Sequence, residues 1–180
     1  MKKIILLLIA LVASFGMSAR EIGRPLEVDT VIQMPNVTAG QIYAGAKTWL
    51  ATAVVDSKSV IRLDDPVNHH LIGKSNIRLK VDNMMYQSLT GYIEFVLDVQ
   101  AREGRMRVKI YGFEHKADNN PGPYDWDMGP VYIGGERPNA PKVSYKQMQK
   151  RAIPLIFKNV NQIINGLKSS AKTASVDDDW

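Results

Sequence analysis

A long alternation of apolar and polar residues is the feature of this sequence that most constrains its fold. Between Gly91 and Ala101 the even-numbered positions are mostly polar, namely Tyr92, Glu94, Asp98 and Gln100. Every second position is apolar, namely Ile93, Phe95, Leu97, Val99 and Ala101. Because successive side chains of a β-strand point to opposite faces, this segment predicts a strand with one face in a hydrophobic core and the other in water.

The segment from Arg105 to Phe113 alternates in the same way, and its polar positions are mostly basic. These basic residues are Arg105, Arg107 and Lys109. A short stretch, Arg102, Glu103 and Gly104, joins the two segments. Glycine supplies the positive φ that a tight turn requires. We therefore predict that the two strands form an antiparallel hairpin.

The rest of the chain indicates three more strands, which periodicity and β-branched residues place at 28–34, 59–63 and 71–81. Thr38 and Gln41 have the spacing of a capping box, in which each side chain satisfies a backbone group at a helix N-terminus. A first helix is therefore expected to begin at Thr38.

A second helix is predicted to begin at Ser144, where Gln147 repeats the capping-box spacing. Its apolar stripe has helical periodicity. Pro154 lies inside the stripe and cannot donate a hydrogen bond to the carbonyl of Lys150, so we expect a kink there.

The order strand, helix, four strands, helix predicts an α+β domain of two layers. We expect an antiparallel sheet of about five strands with two helices on one face, because the strands alternate between apolar and polar residues. The single domain is expected over residues 25–168. It would include a long loop at 117–142 and be followed by an acidic, disordered tail at 169–180.

The first 19 residues have the composition of a secretory signal peptide. Lys2 and Lys3 precede an apolar run from Ile4 to Ala13, and small residues follow up to Ala19. The run is shorter than the roughly 20 residues needed to span a bilayer, and the chain has no cysteine to accept a lipid. We expect an exported protein, periplasmic or secreted after cleavage, without a transmembrane segment.

The charge of the chain argues against nucleic acid as a partner. The formal net charge is +5 for the whole chain and +3 without Lys2 and Lys3. A sheet that bends DNA needs a basic face with apolar wedges, whereas Glu94 and Asp98 lie among the basic residues of the predicted polar face. Export would also separate the protein from the genome.

Several segments of this chain resemble one known family. They are the stretches IYAGAKTWLA, SVIRLDD, LIGKSNIRL and GYIEFVLDVQAREGRMRVKIYGFEH, which lie between Val28 and His115. These segments are similar to the secreted bacterial domain of unknown function 4468, described as having a TATA-binding-protein-like (TBP-like) fold. The resemblance implies the topology strand, helix, four strands, helix, and it implies no activity, substrate or catalytic residue.

One candidate metal site consists of Asp64, Asp65, His69 and His70 around Pro66. Carboxylates and imidazoles together can hold a divalent metal. Adjacent histidines on a strand, however, point in opposite directions, and the spacing fits no familiar site. The sequence therefore favours a solvated turn, and it predicts neither a metal nor a cofactor.

One candidate catalytic pair consists of Glu94 and Asp98, whose Cα atoms would lie about 13 Å apart along a strand. Glycoside cleavage uses carboxyl groups about 5 to 9.5 Å apart. We therefore expect these carboxylates to form cross-strand ion pairs with Arg105, Arg107 or Lys109, and we predict no catalytic residue.

The long loop and the polar face of the sheet carry the predicted ligand or partner contacts. Exposed aromatic rings can stack on sugars or anchor a partner protein, although they can also fold a loop back over a sheet edge. The predicted contact residues are Tyr124, Trp126, Tyr132, Arg107 and Lys109.

These observations predict a non-catalytic binding or interaction module of the cell envelope, with an envelope protein, a glycan or a small ligand as partner. One alternative is a carrier that holds an apolar ligand in a cavity lined by Met34, Met106, Met148 and Phe157. Another is a hydrolase acting on envelope or glycan material, which would need a cleft of polar residues with strongly shifted pKa values.

Overall fold

The computed structural model of the chain describes residues 22–52, 60–80, 89–118, 127–135, 138 and 146–174. The predicted signal at 1–19 lies outside the described residues, as do Tyr124, Trp126 and Ser144. The predicted loop at 117–142 is described in part. The predicted tail is described as far as Ala174.

The described residues form eight strands and two α-helices, the second of which follows directly on a π-helical turn. The elements are β1 (Arg24–Pro25), β2 (Val28–Gln33), α1 (Ala39–Thr52), β3 (Val60–Asp65), β4 (His70–Leu79), β5 (Gly91–Arg102), β6 (Arg105–Ala117), β7 (Gly129–Pro130), β8 (Tyr132–Ile133), the π-helical turn (Met148–Ala152) and α2 (Ile153–Ala174).

The central sheet is antiparallel and has the strand order β2, β6, β5, β4, β3, with β7 added to the far end of β6. Strands β1 and β8 form a separate two-stranded ribbon. The predicted fold class is confirmed, but the strand count is larger than five. The additional strands have two residues each, which is too short for an alternation to be visible in the sequence.

One face of the sheet is covered by α1 and α2 and holds the core. All five apolar residues predicted for the buried face of β5 are at most 4 % exposed. The two helices are antiparallel, since Gly45 meets Ala171 and Trp49 meets Gly166. A Cβ atom on Gly45 would lie 2.4 Å from the Cα atom of Ala171, so the helices touch here backbone to backbone. We call the other side of the sheet the open face.

The predicted capping box at the start of α1 is confirmed. The backbone N–H of Thr38 donates to Oε1 of Gln41 at 3.0 Å, and the N–H of Gln41 donates to Oγ1 of Thr38 at 3.2 Å. Both groups would otherwise lack a partner inside the helix.

The distortion expected at Pro154 takes the form of the π-helical turn just before α2. The N–H of Ile153 donates to the carbonyl of Met148, five residues earlier. Proline lacks the N–H that would continue the α-helical pattern, and a wider turn is one way to accommodate it.

The C-terminal boundary of the fold lies later than the sequence indicates. A disordered tail was expected from residue 169, whereas α2 continues to Ala174. Ala171 is fully buried, and Oγ of Ser170 donates to the carbonyl of Gly45 at 2.8 Å. The helix continues because this polar-looking segment packs on α1, a contact that its composition does not reveal.

A β-bulge in β6 changes which side chains face the core. The register of β5 and β6 shifts between Glu94 and Val96, and Gly112 in the bulge has a φ of 66°. Before the bulge the even-numbered residues of β6 are buried, and after it Phe113 and His115 are buried. An extra residue in one strand of a pair has this effect because side chains alternate with a period of two.

Candidate functional site

The open face of the sheet carries charged side chains in a network of ion pairs. Most of its cations lie next to a carboxylate on a neighbouring strand or at the sheet edge. The ion pairs are Arg107–Asp29 at 2.6 Å, Lys109–Glu27 at 3.1 Å, Lys74–Glu94 at 2.8 Å, Arg78–Asp118 at 2.5 Å and, within β6 itself, Lys116–Glu114 at 2.7 Å. His70 and Asp98 form a hydrogen bond of 2.9 Å on the same face.

Glu94 forms a cross-strand ion pair and Asp98 a cross-strand hydrogen bond, but their partners differ from Arg105, Arg107 and Lys109, which the sequence predicts. Glu94 binds Lys74 and Asp98 binds His70, and both partners lie on β4 rather than β6. The sequence could not decide this, because β5 lies between β4 and β6 and each carboxylate has a neighbour on both sides. Glu94 is thus engaged in an ion pair with Lys74, and Asp98 in a hydrogen bond with His70.

Two arginines at one end of the open face differ from the other basic residues. Among the lysines and arginines of β2, β4, β5 and β6, all of which are described, Arg102 and Arg105 are those without a carboxylate partner. They are register partners on either side of the β5–β6 turn. Like charges directly opposite each other in a sheet repel, so this end of the face has uncompensated positive charge.

These arginines border a surface depression of about 210 Å³, which we call the arginine basin. Its lining residues are Val31, Gln100, Arg102, Arg105 and Arg107. Val31 is 51 % exposed and adds an apolar patch to an otherwise polar lining. The basin thus combines guanidinium groups with a small apolar surface.

The turn between Arg102 and Arg105 is fixed to the start of α1. Oε1 of Glu103 accepts a hydrogen bond from the N–H of Ala39 at 3.0 Å. The N–H of Gly104 donates to the carbonyl of Val37 at 3.0 Å, and the N–H of Met34 donates to the carbonyl of Gly104 at 2.8 Å. A carboxylate at a helix N-terminus is favoured by the helix dipole, and the three bonds hold the basin in place.

The third arginine of the basin shows how an acidic group can bind there. Nε and Nη2 of Arg107 donate to the two carboxylate oxygens of Asp29 at 3.0 and 2.6 Å. This hydrogen bonding lowers the pKa of Asp29 and raises that of Arg107. Paired N–H donors on one carboxylate are a characteristic strength of arginine.

The structure brings only part of the predicted contact set together. Arg107 lines the basin. Lys109 lies on the same face, bound to Glu27, with its Nζ 5.3 Å from the centre of the Tyr111 ring. Tyr132 lies in the separate ribbon, where its carbonyl accepts a bond from Gln149 at 2.6 Å. Tyr124 and Trp126 lie outside the described residues.

The residues of the candidate metal site point in different directions. Asp64 lies towards α1, where it accepts hydrogen bonds from the Tyr43 hydroxyl and from Nζ of Lys47. His69 contacts the ring of Tyr43, whereas His70 lies on the open face beside Asp98. No group of three or more histidine, cysteine, aspartate or glutamate residues that could hold a metal occurs in the described part of the chain.

The turn that contains these residues is stabilised from within. Oδ1 of Asp65 accepts bonds from the N–H groups of Val67 and Asn68, both at 3.0 Å. Burial, followed by the hydrogen bond to Asp64, raises the pKa of Tyr43 to about 12. The tyrosine hydroxyl therefore keeps its proton at neutral pH and acts as a structural donor.

Sequence reasoning missed one buried ionisable group, His115. Its side chain is fully buried, with Nε2 3.2 Å from the carbonyl of Leu89, and Nδ1 accepts a hydrogen bond from the N–H of Met128 at 3.2 Å. These contacts fix a neutral ring that donates through Nε2. Burial lowers the pKa of His115. The bulge places this residue inside, and no local sequence signal marks it.

The residues proposed to line a carrier cavity lie in two different environments. Met34, Met106 and Met148 are buried in the main hydrophobic cluster. Phe157 is 37 % exposed and is not part of that cluster. The described core therefore uses these methionines as packing residues, which suits their flexible shape.

The fold is that of the TBP-like α+β class. A solved TBP-like protein from Parabacteroides distasonis matches with a TM-score of 0.64 at 9 % identity, covering 82 % of this chain and 93 % of that one. At that identity the likeness shows a shared fold. A solved structure described as a DUF4468 family protein from Bacteroides ovatus matches with a TM-score of 0.44 at 12 % identity, covering 84 % of this chain and 86 % of that one.

Residues 29–116 match the model of a family described as "Domain of unknown function (DUF4468) with TBP-like fold". This match confirms the resemblance to the family seen in the sequence. No curated protein matches the chain. Within the described residues, no helix has both the length and the apolar character needed to cross a bilayer.

Proposed function

We propose that the protein is an exported, non-catalytic binding module of the cell envelope and that the arginine basin is the centre of its contact surface. The observation that carries the proposal is the unequal pairing of charge on the open face. Elsewhere on β2, β4, β5 and β6 the lysines and arginines have carboxylate partners, whereas Arg102 and Arg105 do not. Unpaired guanidinium groups on a fixed turn favour an acidic partner.

Three further features support binding at this end of the sheet. The turn is fixed to α1 by Glu103 and by two backbone hydrogen bonds, so little ordering is needed when a partner binds. The exposed Val31 offers apolar contact next to the charges. The carboxylate of Glu94 is held in an ion pair with Lys74, which argues against an acid–base role for it.

The proposal can be tested by comparing variants of the open face. The wild-type protein and the variants Arg102→Gln/Arg105→Gln and Arg78→Gln would be immobilised and exposed to a detergent extract of the native envelope. Arg78 is a matched control, because it lies on the same face but is paired with Asp118. We expect the double variant to lose components that the wild type and the control retain, as quantified by mass spectrometry. Equal retention by all three proteins would refute the proposed surface.

Export is tested separately. The full chain would be expressed with its own N-terminus, the cell fractionated, and the first residues of the mature protein sequenced. We expect a chain that starts near residue 20 and is found outside the cytoplasm, because residues 1–19 have the features of a cleavable signal. An uncleaved chain in the cytoplasm would overturn the envelope assignment.

A further inference from the structure

We propose that the arginine basin binds a single phosphate monoester group through Arg102 and Arg105. The inference rests on the proposed function, because it names the chemistry that the same surface recognises. It is carried by the placement of the two arginines, by the size of the basin and by the charges that surround it.

The charge of the site matches a dianion. Arg102 and Arg105 are register partners, so their Cα atoms lie about 4.5 to 5.5 Å apart, as in any antiparallel pair. A phosphate monoester carries about 1.5 to 2 negative charges at pH 7. It can therefore neutralise both guanidinium groups at once, whereas a carboxylate neutralises one.

The shape of the site suits a tetrahedral group. Each guanidinium presents planar N–H donors, and two of them on neighbouring strands can approach different oxygens of one phosphate. Arg107 at the rim is already bound through two nitrogens to Asp29, which leaves Arg102 and Arg105 as the main donors. Val31 would contact the first carbons of the ester.

The surroundings limit the ligand to one phosphate group. A nucleic acid or another polyanion needs a row of cations, but the open face beyond the basin carries Asp98, hydrogen-bonded to His70, and Glu94, paired with Lys74. The basin volume of about 210 Å³ is also below that of pockets for drug-sized ligands, which start near 300 Å³. A phosphate with a short carbon stem fits both limits.

The phosphate can belong to a soluble metabolite or to a lipid headgroup, since both present the same group. Binding of methyl phosphate by calorimetry tests the chemistry, with methyl sulfate as a tetrahedral monoanion of similar shape. Sedimentation with vesicles of phosphatidylcholine containing phosphatidic acid, against vesicles of phosphatidylcholine alone, tests the lipid source. The proteins are the wild type, Arg102→Gln/Arg105→Gln and the control Arg78→Gln.

We expect the wild type and the control to bind methyl phosphate at least tenfold more tightly than methyl sulfate. The double variant is expected to lose at least tenfold in affinity for methyl phosphate while its melting temperature stays near that of the wild type. Binding should weaken below about pH 6, where the phosphate becomes a monoanion. Arginine-dependent sedimentation only with phosphatidic acid vesicles would assign the site to a lipid.

Two results would overturn the inference: equal binding of methyl phosphate by the wild type and the double variant, or no binding of methyl phosphate and of phosphatidic acid vesicles by the wild type. If the double variant in the second case still loses its envelope components, the phosphate chemistry is wrong and the binding surface stands. If it retains them, the proposed function fails as well.

Discussion

The two faces of the central sheet use the same strands for different purposes. On the covered face, the apolar side chains of β5 and β6 are sealed by two helices whose backbones touch at Gly45 and Ala171. On the open face, the side chains are charged and mostly paired, and the pairing fails only at the β5–β6 turn among the four strands β2, β4, β5 and β6. The comparison teaches that folding stability and recognition can be changed separately by substitutions on opposite faces.

The largest effect is expected from the covered face at the helix contact. Gly45→Ala would place a Cβ atom 2.4 Å from the Cα of Ala171. Because the neighbour is backbone and cannot rotate away, we expect a loss of about 2 kcal/mol in the free energy of unfolding, as for other overpacked cores. Urea denaturation of the wild type and the variant measures this loss.

Gly40→Ala in the same helix is the matched control. Its Cβ would meet nothing closer than Nε2 of His69 at 3.8 Å, which is an ordinary contact. Alanine also favours helix over glycine, so we expect no loss of stability. Equal losses at both glycines would show that the helices are not in close contact at Gly45.

A pH dependence of stability is expected from the covered end of β6. Burial lowers the pKa of His115 in the folded state below its ordinary value of about 6.5. The unfolded chain therefore binds the proton more readily, and stability falls as the pH drops from about 6.5 towards the folded pKa. For one proton the slope cannot exceed about 1.4 kcal/mol per pH unit.

His115→Gln is the variant that isolates this contribution. Glutamine can accept from the N–H of Met128 and donate to the carbonyl of Leu89, and it does not titrate. Denaturation at pH 5, 6 and 7 should show a flatter profile for the variant than for the wild type. Parallel profiles would mean that groups other than His115 carry the pH dependence.

The connection between the two faces runs through Glu103, and breaking it should cost about 1 kcal/mol. Glu103→Ala removes the acceptor for the N–H of Ala39 at the start of α1, a loss comparable to that of a helix cap. Glu103→Gln keeps an acceptor but not the charge, so its cost should be smaller. Thermal unfolding of both variants measures the difference, and an alanine variant as stable as the wild type would contradict the contact.

The smallest effects should have opposite signs at the two ends of the open face. Arg105→Gln relieves repulsion from Arg102 and should raise stability by a few tenths of a kcal/mol. Arg78→Gln removes an exposed ion pair with Asp118 and should lower stability by a similar amount. Both differences should shrink in 1 M NaCl, because salt screens exposed charges. If both substitutions changed stability in the same direction at low salt, the two ends of the open face would not differ in charge pairing.

The sequence predicted the elements whose signals are local. The alternation over 91–101 is the clearest case, and the capping box of Thr38 and Gln41 forms as its spacing indicates. The short strands, the bulge at Gly112 and the continuation of α2 to Ala174 were missed. They depend on contacts between residues that are distant in sequence, which no local pattern records.

The candidate site was predicted in part for the same reason. The place of Arg107 on the polar face predicts it as a contact residue, whereas nothing in the sequence distinguishes Arg102 and Arg105, although all three look alike there. Only the strand register shows that Asp29 lies next to Arg107 and that the other two arginines face each other. Likewise, the contact between Glu103 and Ala39 spans 64 positions of the chain.

The single extra residue at Gly112 works as a phase shift within one strand. Upstream of it, odd-numbered positions of β6 meet water, and downstream they enter the protein. If the strand ran through Gly112 as a regular residue, without the bulge, the lysine and glutamate after it would point inward and the histidine outward. The bulge at this one residue thus decides whether Phe113 and His115 lie inside the protein or on its surface.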